Sequence, residues 1–376
     1  MKVAFASCSS IGRKLQHKQP IWGIIKQQSP DMLILLGDNV YLGSKAYDII
    51  DLEEKMTRLA ERYDVQLAEY HFSDLLSNVD FLAVWDNHDF GLPGEKHPSD
   101  VAKFGAEVDN NFRDASRNIF NDKLRDHPRS LIPARNDRIY DSYTHPYENI
   151  KFIMVDVRSN QERPINDEAR LLDGNQKEWL LCELRNSTAD INVICSGICY
   201  SAGSMGWAAH GKWFEEFNKV LLSTSKPLFL GGNVHNNGFY HHVLQKHPKK
   251  NFYEIFSSGV GQNFKTPIES GNEEWDPPEE IAFGDIYEQD SDKFLMGRPR
   301  NNYGIIDFTT DHVFVSLYGQ RKDAMHYVVI NRHTWKREEY WCMIESKPKD
   351  PPLPYVRPPI PPHPGPERPD YGPIGF

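Results

Sequence analysis

Four short polar segments, each directly after an apolar run of strand length, carry the side chains best suited to chemistry in this sequence. They are Ser7-Cys8-Ser9, GDNVYLG from Gly37, WDNHDFG from Trp85 and GGNVHNNG from Gly231. Side chains that follow the ends of neighbouring strands face a common crevice and are held rigidly. Because Asp, Asn, His, Cys and Tyr side chains can all ligate metals, the four segments together predict a metal site.

Each segment taken singly has a simpler interpretation. Asp38 and Asn39 after a strand are typical of a turn closed by an Asx hydrogen bond. Cys8 is typical of a small buried apolar side chain, and a single histidine is more often structural than a ligand. Independent turns, however, give no reason for these residue types to follow four strands at once. The combination therefore favours a site over a set of unrelated turns.

The four segments lie within a pattern of alternating predicted strands and helices, and these elements would hold the segments in place. Apolar runs predict strands, and apolar residues three and four apart predict helices between them. The strands are expected at 2–7, 32–36, 80–85, 151–157, 191–197 and 227–231, and the helices near 48–70, 104–125, 174–186 and 207–223. This alternation predicts an α/β sheet with the site at the carboxyl ends of its strands.

The pattern changes after residue 250, where strands follow one another without long helices. They are expected at 252–257, 303–308, 313–318 and 326–330. These strands predict a second, largely antiparallel sheet that packs on the first, so that the fold class is α/β with two packed mixed β-sheets flanked by helices. An acidic surface loop is expected at 265–300, inside one domain that spans 1–346. Residues 347–376 hold 12 of the 26 prolines and predict a polyproline-like tail.

Composition excludes several classes of function. The formal charge of -10 and the pI near 5.8 argue against a nucleic-acid scaffold, because such binding needs a basic surface. No run of eighteen apolar residues and no leader pattern occurs, so we expect no membrane attachment. Five cysteines are too few for a disulfide framework and indicate a reducing compartment, by default the cytoplasm. The sequence indicates no oligomeric state.

The motifs resemble those of a known family. GDNVYLG, WDNHDFG and GGNVH are similar to the GD-x-x-Y, W-D-[DN]-H-[DE]-F and G-D-V-H signatures of the alkaline phosphatase D (PhoD-like) family of calcineurin-like metallophosphatases. Further segments match family blocks in the same order: FASC at 5–8, VDVR at 155–158, LLDGNQKEWL at 171–180, EIFSS at 254–258 and NYGIIDF at 302–308. The resemblance spans about residues 1–310. It implies a calcineurin-like sandwich and a hydrolase that cleaves small phosphate monoesters or diesters.

The resemblance also implies two metal ions. Asp38 would bridge them, and Cys8, Tyr41 and His235 would complete the first site, which suits Fe(3+). Asn87 and Asn233 would complete the second site with Asp38, and their oxygen ligands suit Ca(2+), Mn(2+) or Mg(2+). A hydroxide polarised between the metals would attack phosphorus in line.

The resemblance also implies a role for His88, and the chemistry of the neighbouring segments suggests roles for Asp89 and Arg158. His88 would stabilise or protonate the leaving-group oxygen, and Asp89 would orient the His88 imidazole. Arg158 would grip a phosphate oxygen through its fork of donors. For Arg158 a structural ion pair with Asp156 or Asp141 remains an equal alternative.

This sequence departs from the family pattern at two points. Asn233 stands where the family usually has aspartate, so the second metal is expected to bind more weakly. The strand at 191–197 lacks the histidine found at this point in the wider superfamily. The next histidine, His210, is expected on a helix surface rather than as a ligand.

Two other functions compete with a metal-dependent hydrolase. A cysteine-nucleophile phosphatase could use Cys8 and Arg13, although the loop between them is one residue too short to ring a phosphate with backbone amides. A non-catalytic relative could keep the fold for binding phosphate or nucleotide. Asn233 gives this alternative some weight, but it is opposed by the retained site residues Cys8, Asp38, Tyr41, Asn87, His88 and His235. The first alternative leaves the other three polar segments unexplained.

Overall fold

A computed structural model describes this chain at residues 1–11, 19–43, 49, 51–92, 110–164, 168–201, 206–244, 251–261, 287–289, 301–319 and 324–342. The expected tail at 347–376 lies outside the described residues. So does the expected loop at 265–300, except for the strand Tyr287–Gln289, which adds to the edge of a sheet. Among the described residues, no helix is both long enough and apolar enough to cross a membrane.

The first sheet contains the first three strands and the last four. Its strands are β1 (Lys2–Ala6), β2 (Met32–Leu36), β3 (Asp80–Val84), β11 (Asn302–Phe308), β12 (His312–Gly319), β13 (Ala324–Asn331) and β14 (Lys336–Cys342). The spatial order is β14-β13-β12-β11-β1-β2-β3. Strands β1, β2 and β3 are parallel neighbours, whereas β11 pairs antiparallel with β1, with Ile306 opposite Val3. The carboxyl ends of β1, β2 and β3 therefore meet at one edge.

The second sheet is built from the middle of the chain. Its strands are β4 (Asp141–Thr144), β5 (Ile150–Val155), β6 (Ile191–Ser196), β7 (Pro227–Gly231), β8 (Asn237–Leu244), β9 (Asn251–Ser257) and β10 (Tyr287–Gln289). The spatial order is β10-β8-β9-β7-β6-β5-β4. Strands β5, β6, β7 and β9 run parallel, and the edges are antiparallel.

The predicted fold class is confirmed, but the expected membership of the second sheet was wrong. We expected the strands after residue 250 to form a sheet of their own. Instead β9 lies beside β7, and β11 extends the amino-terminal strands through β1. Every strand offers the same backbone donors and acceptors along its edges, so an apolar run identifies a strand without identifying its neighbour.

The helices cover the outer faces of the two packed sheets. They are α1 (Pro20–Gln27), α2 (Leu52–Leu67), α3 (Tyr70–Asn78), α4 (Asn110–Phe120), α5 (Gly174–Arg185) and α6 (Gly211–Leu221). The helix expected at 48–70 ends at Leu67, and α3 begins separately where the Glu69 side chain accepts a hydrogen bond from Phe72 N. Helices α1 and α3 were not predicted. Segment Asn121–Arg125 continues α4 as a π-helix, and a short 3-10 turn at Trp207–Ala209 precedes α6.

Alternation along each strand divides the core into layers. On β1, Val3 and Phe5 contact the layer between the two sheets, whereas Ala4 and Ala6 face the helices α1 to α4. On β5, Phe152 enters the layer between the sheets, and its neighbour Ile153 faces α5 and α6. Strands buried on both faces are rigid supports for the polar loops at their ends.

Candidate metal centre

The loops at the carboxyl ends of β1, β2 and β7 hold ligand residues in a rare backbone conformation. Cys8, Asp38, Asn233 and His235 have φ of 60°, 51°, 70° and 53°. They are four of the eight non-glycine residues with positive φ in the described part of the chain. This left-handed region costs energy for residues with a Cβ, and such conformations cluster at functional sites. The strain therefore marks the same loops that the sequence singled out.

The four predicted ligands of the first metal site lie in contact with one another. Asp38 Oδ2 accepts hydrogen bonds from the Tyr41 hydroxyl at 3.1 Å and from Cys8 Sγ at 3.6 Å. The Tyr41 hydroxyl also lies 3.3 Å from His235 Nε2. One ligand atom each from Cys8, Asp38 and His235 lies within 4.8 Å of the other two. Two loops of the first sheet and one of the second thus meet around a single carboxylate.

Burial disfavours the ionised forms of the acidic groups in this cluster when no cation is bound. Burial, and then the charge of Asp38, raise the pKa of Cys8 and of Tyr41 well above their ordinary values. Burial also raises the pKa of Asp38 itself. A bound cation reverses this effect because it stabilises thiolate, phenolate and carboxylate together. Three acidic groups and an imidazole around one point fit a transition-metal ion.

The loop after β3 contributes His88, whose backbone is tied to the same carboxylate. The His88 amide donates to Asp38 Oδ1 at 3.1 Å, and its ring lies 4.0 Å from the Tyr41 ring, centroid to centroid. Burial lowers the pKa of His88 to about 3. The ring is therefore neutral near neutral pH and can donate a hydrogen bond.

Asn87 is also held in one orientation in this loop. Its Nδ2 donates to the Leu92 carbonyl at 3.1 Å, and its Oδ1 accepts from Arg158 Nη2 at 3.4 Å with one lone pair left over. The residue is almost fully buried. The structure thus holds the Asn87 amide in one orientation in the loop after β3.

Asp89 has partners other than the His88 ring. Its carboxylate accepts hydrogen bonds from the Tyr63 hydroxyl at 2.6 Å, from Asn39 N at 3.0 and 3.2 Å, and from Asp86 N at 2.9 Å. Burial raises the pKa of Asp89 to about 8, and the Asp38 charge adds to the effect. These bonds connect the loops after β2 and β3 to helix α2.

Arg158 is held by three side chains of the site. Its Nε donates to Asp86, its Nη1 to Gln161 Oε1 at 2.5 Å and its Nη2 to Asn87 Oδ1 at 3.4 Å. The Arg158 and Asp86 side chains are 5% and 0% exposed. Burial raises the pKa of Asp86, and the Arg158 charge opposes the rise. An ion pair this deeply buried fixes the guanidinium beside the predicted second metal site.

Neither of the two ion-pair partners suggested for Arg158 is its partner. Asp156 instead accepts the Arg158 backbone amide at 3.0 Å and the Trp85 indole at 2.7 Å. Asp141 pairs with Arg135. No role was predicted for Asp86, although it stands in the same WDNHDFG segment, because nothing in that segment indicates which aspartate faces an arginine 72 positions away.

The family follows from the sequence match together with this geometry. Residues 3–316 match the family model described as PhoD-like phosphatase. The chain belongs to the PhoD-like phosphatase family. It is therefore a phosphoester hydrolase, as the resemblance of its motifs predicted.

Similar solved structures bear on the fold. One described as the structure of PhoD has a TM-score of 0.64 and 15% identity, covering 90% of this chain and 71% of that one. Another, GAP50, the anchor in the inner membrane complex of Plasmodium, has a TM-score of 0.45 and 12% identity, covering 93% and 90%. Comparison with curated protein sequences gives no match. The first likeness confirms the two-sheet fold of this PhoD-like phosphatase.

The loop after β7 is placed by glycines that allow close approach. A Cβ at Gly232 would lie 2.4 Å from Leu36 O and 2.7 Å from Gly197 O, so only glycine fits there. Asn233 and His235 follow and are half-buried. In this PhoD-like phosphatase, three strand ends thus touch directly behind the predicted ligands.

His210 is not on a helix surface, as the sequence suggested. It precedes α6, is 1% exposed, and its Nδ1 lies 3.3 Å from Ala169 O. Burial lowers its pKa. The expected surface position was wrong because the short 3-10 turn at Trp207–Ala209 turns the residue inward before the helix begins.

Proposed function

We propose that this phosphatase hydrolyses small phosphate monoesters or diesters with two metal ions at the carboxyl ends of β1, β2, β3 and β7. One observation carries the proposal: Cys8, Tyr41 and His235 converge on the Asp38 carboxylate. A buried thiol, a buried phenol and a half-buried imidazole around a carboxylate have no structural need for one another, and together they are a donor set for a metal.

The residues divide into two sets of ligands. Cys8, Tyr41 and His235 would hold the first ion with Asp38, and this set suits Fe(3+). Asn87 and Asn233 would hold the second with Asp38, and this set suits Ca(2+), Mn(2+) or Mg(2+). When bound, the ions supply positive charge for the phosphoryl oxygens and make a water molecule acidic enough to lose a proton near neutral pH.

The remaining residues of the site would act on the substrate directly. His88, neutral because of its burial, would donate a hydrogen bond to the leaving-group oxygen. Arg158 uses three of its five N–H groups on Asp86, Gln161 and Asn87. The other two N–H groups can bind a phosphoryl oxygen. Arg158 can therefore form the ion pair with Asp86 and contact the phosphate at the same time.

The cysteine-nucleophile alternative conflicts with the backbone around Cys8. Such an enzyme needs loop amides directed at the phosphate and a thiol with a lowered pKa. Here Cys8 N donates to Gly37 O at 3.2 Å and Ser9 N to Asp38 O at 2.9 Å. Burial also raises the Cys8 pKa. Arg13 lies outside the described residues.

Hydrolysis of p-nitrophenyl phosphate and bis-p-nitrophenyl phosphate, with and without chelator, tests the proposal alongside metal content by mass spectrometry. We expect chelator-sensitive turnover that Asp38→Asn and His235→Ala abolish. His88→Ala should lower turnover and leave metal bound. His333→Ala changes an exposed histidine that is not among the proposed site residues, and it serves as the control.

Three results would contradict the proposal. Full activity in Asp38→Asn would contradict the proposed metal centre. Chelator-insensitive turnover that is lost in Cys8→Ser would favour a cysteine nucleophile. No turnover with any of the four metals would favour a non-catalytic relative that binds phosphate or nucleotide.

A further inference from the structure

The Asp89 carboxylate connects the two loops that carry Asp38 and Asn87, and helix α2 holds it in place through Tyr63. We propose that Asp89 and Tyr63 are positioning residues that set the distance between these two metal ligands. The inference rests on the metal centre proposed above. It gives Asp89 a role different from orienting the His88 ring.

The hydrogen bonds of Asp89 reach the backbone beside each ligand. Its two oxygens lie 3.0 and 3.2 Å from Asn39 N, the amide directly after Asp38. Its Oδ2 also accepts the amide of Asp86, directly before Asn87, at 2.9 Å. One fully buried carboxyl group thus accepts hydrogen bonds from the backbone of both loops and holds them at a fixed separation.

Tyr63 fixes the carboxylate in turn. It lies on α2, is 1% exposed, and donates its hydroxyl to Asp89 Oδ1 at 2.6 Å. Helix α2 contributes none of the proposed ligands. The Tyr63 hydroxyl completes the hydrogen bonding of the buried Asp89 carboxyl group. Without this bond, the carboxyl group would be free to rotate toward one of the two loop amides.

The fold does not depend on this contact alone. Asn39 Nδ2 donates to Val84 O at 3.1 Å, and the His88 amide donates to Asp38 Oδ1 at 3.1 Å. These bonds also join the two loops. Loss of the Tyr63 hydroxyl should therefore leave the loops attached and shift them by a fraction of an ångström, which is enough to affect ligation and catalysis.

Tyr63→Phe tests this with the smallest change, the loss of one oxygen atom. The matched control is Tyr253→Phe, another fully buried tyrosine whose hydroxyl donates, at 3.3 Å, to the Trp335 carbonyl. We would measure Co(2+) binding by its visible absorption, and kcat and KM with p-nitrophenyl phosphate. Removal of a group that orients metal ligands typically weakens metal affinity or activity about 10- to 100-fold. We expect a loss in that range for Tyr63→Phe, with KM unchanged, and none for Tyr253→Phe.

Asp89→Asn is the second variant, because an amide keeps one acceptor oxygen and the size of the side chain. It should fold and show the same pattern with a larger loss of Co(2+) affinity, since one oxygen can no longer accept. Unchanged Co(2+) affinity and kcat in both variants would overturn the proposal. Wild-type turnover that resists chelator would instead contradict the metal centre, so the two failures are distinguishable.

Discussion

The guanidinium of Arg158 binds the carboxylate of Asp86 where neither side chain is more than 5% exposed. Arg158 binds Asp86 Oδ1, whereas Asp86 Oδ2 has no hydrogen-bond partner among the described residues. Removal of one partner from a buried pair leaves the other charge uncompensated, which costs far more than the loss of a pair at the surface. The pair therefore supports both the stability of the site and its geometry.

The first prediction concerns this pair. Arg158→Met should lower the free energy of unfolding by about 3–5 kcal/mol, whereas Arg58→Met, which breaks an exposed pair with Glu61, should change it by less than about 0.5 kcal/mol. Urea unfolding measures both. The double variant with Asp86→Asn should recover part of the loss, since the buried charge is then gone. Additive losses in the double variant would contradict the pairing.

The second prediction concerns the neutral ligand Asn233. Asn233→Asp adds a charge beside the proposed second ion and should raise its occupancy, measured as metal per chain by elemental analysis. Asn149→Asp is the matched control, because Asn149 is exposed and also has a positive φ, of 53°. Equal metal content in Asn233→Asp and the wild type would show that residue 233 is not a ligand.

Ten of the fourteen described strands were predicted from the sequence, whereas β4, β8, β10 and β14 were not, and the neighbours of the strands were not predictable. The run at 32–36 is bounded by turn residues and became β2 with the same bounds. By contrast, the pairing of β11 with β1 joins residues about 300 positions apart through backbone groups that every strand shares. Helix α1 was missed because its apolar face is only Ile21, Trp22 and Ile25, too short a stretch to show a period.

The site was predictable where chemistry required unusual residue types. Cys8 and Tyr41 stand in the polar segments that follow β1 and β2, and the structure brings both to Asp38. Tyr63, Asp86 and Gln161 were missed because their part depends on contacts between distant segments. A tyrosine within a helix predicts only burial, and nothing local distinguishes one that reaches a loop carboxylate from one in the core.

The third prediction concerns the approach of three strand ends at Gly232. Gly232→Ala would place a Cβ 2.4 Å from Leu36 O, so a backbone segment must move. Overpacking of this kind costs about 1–3 kcal/mol of unfolding free energy. Metal affinity should fall as well, because Asn233 and His235 follow directly. Gly174→Ala, which meets nothing within 4 Å at the start of α5, should be neutral or stabilising in the same urea experiment.

The last prediction concerns His326 on β13, which lies away from the metal loops and is 1% exposed. Burial lowers its pKa from 6.5 to about 4, so the folded state binds fewer protons than the unfolded state between these values. Stability is therefore retained above about pH 6.5 and falls as the pH drops toward 4. Between pH 7 and pH 5 this one group should cost about 1–2 kcal/mol of unfolding free energy.

His326→Gln removes the titrating group and keeps a polar side chain. The variant should lose less stability than the wild type between pH 7 and pH 5, as measured by urea unfolding at both values. His333→Gln, at an exposed histidine, is the control. If the wild type and His326→Gln lose the same amount, the acid sensitivity comes from other groups, and His326 is not held neutral by its burial.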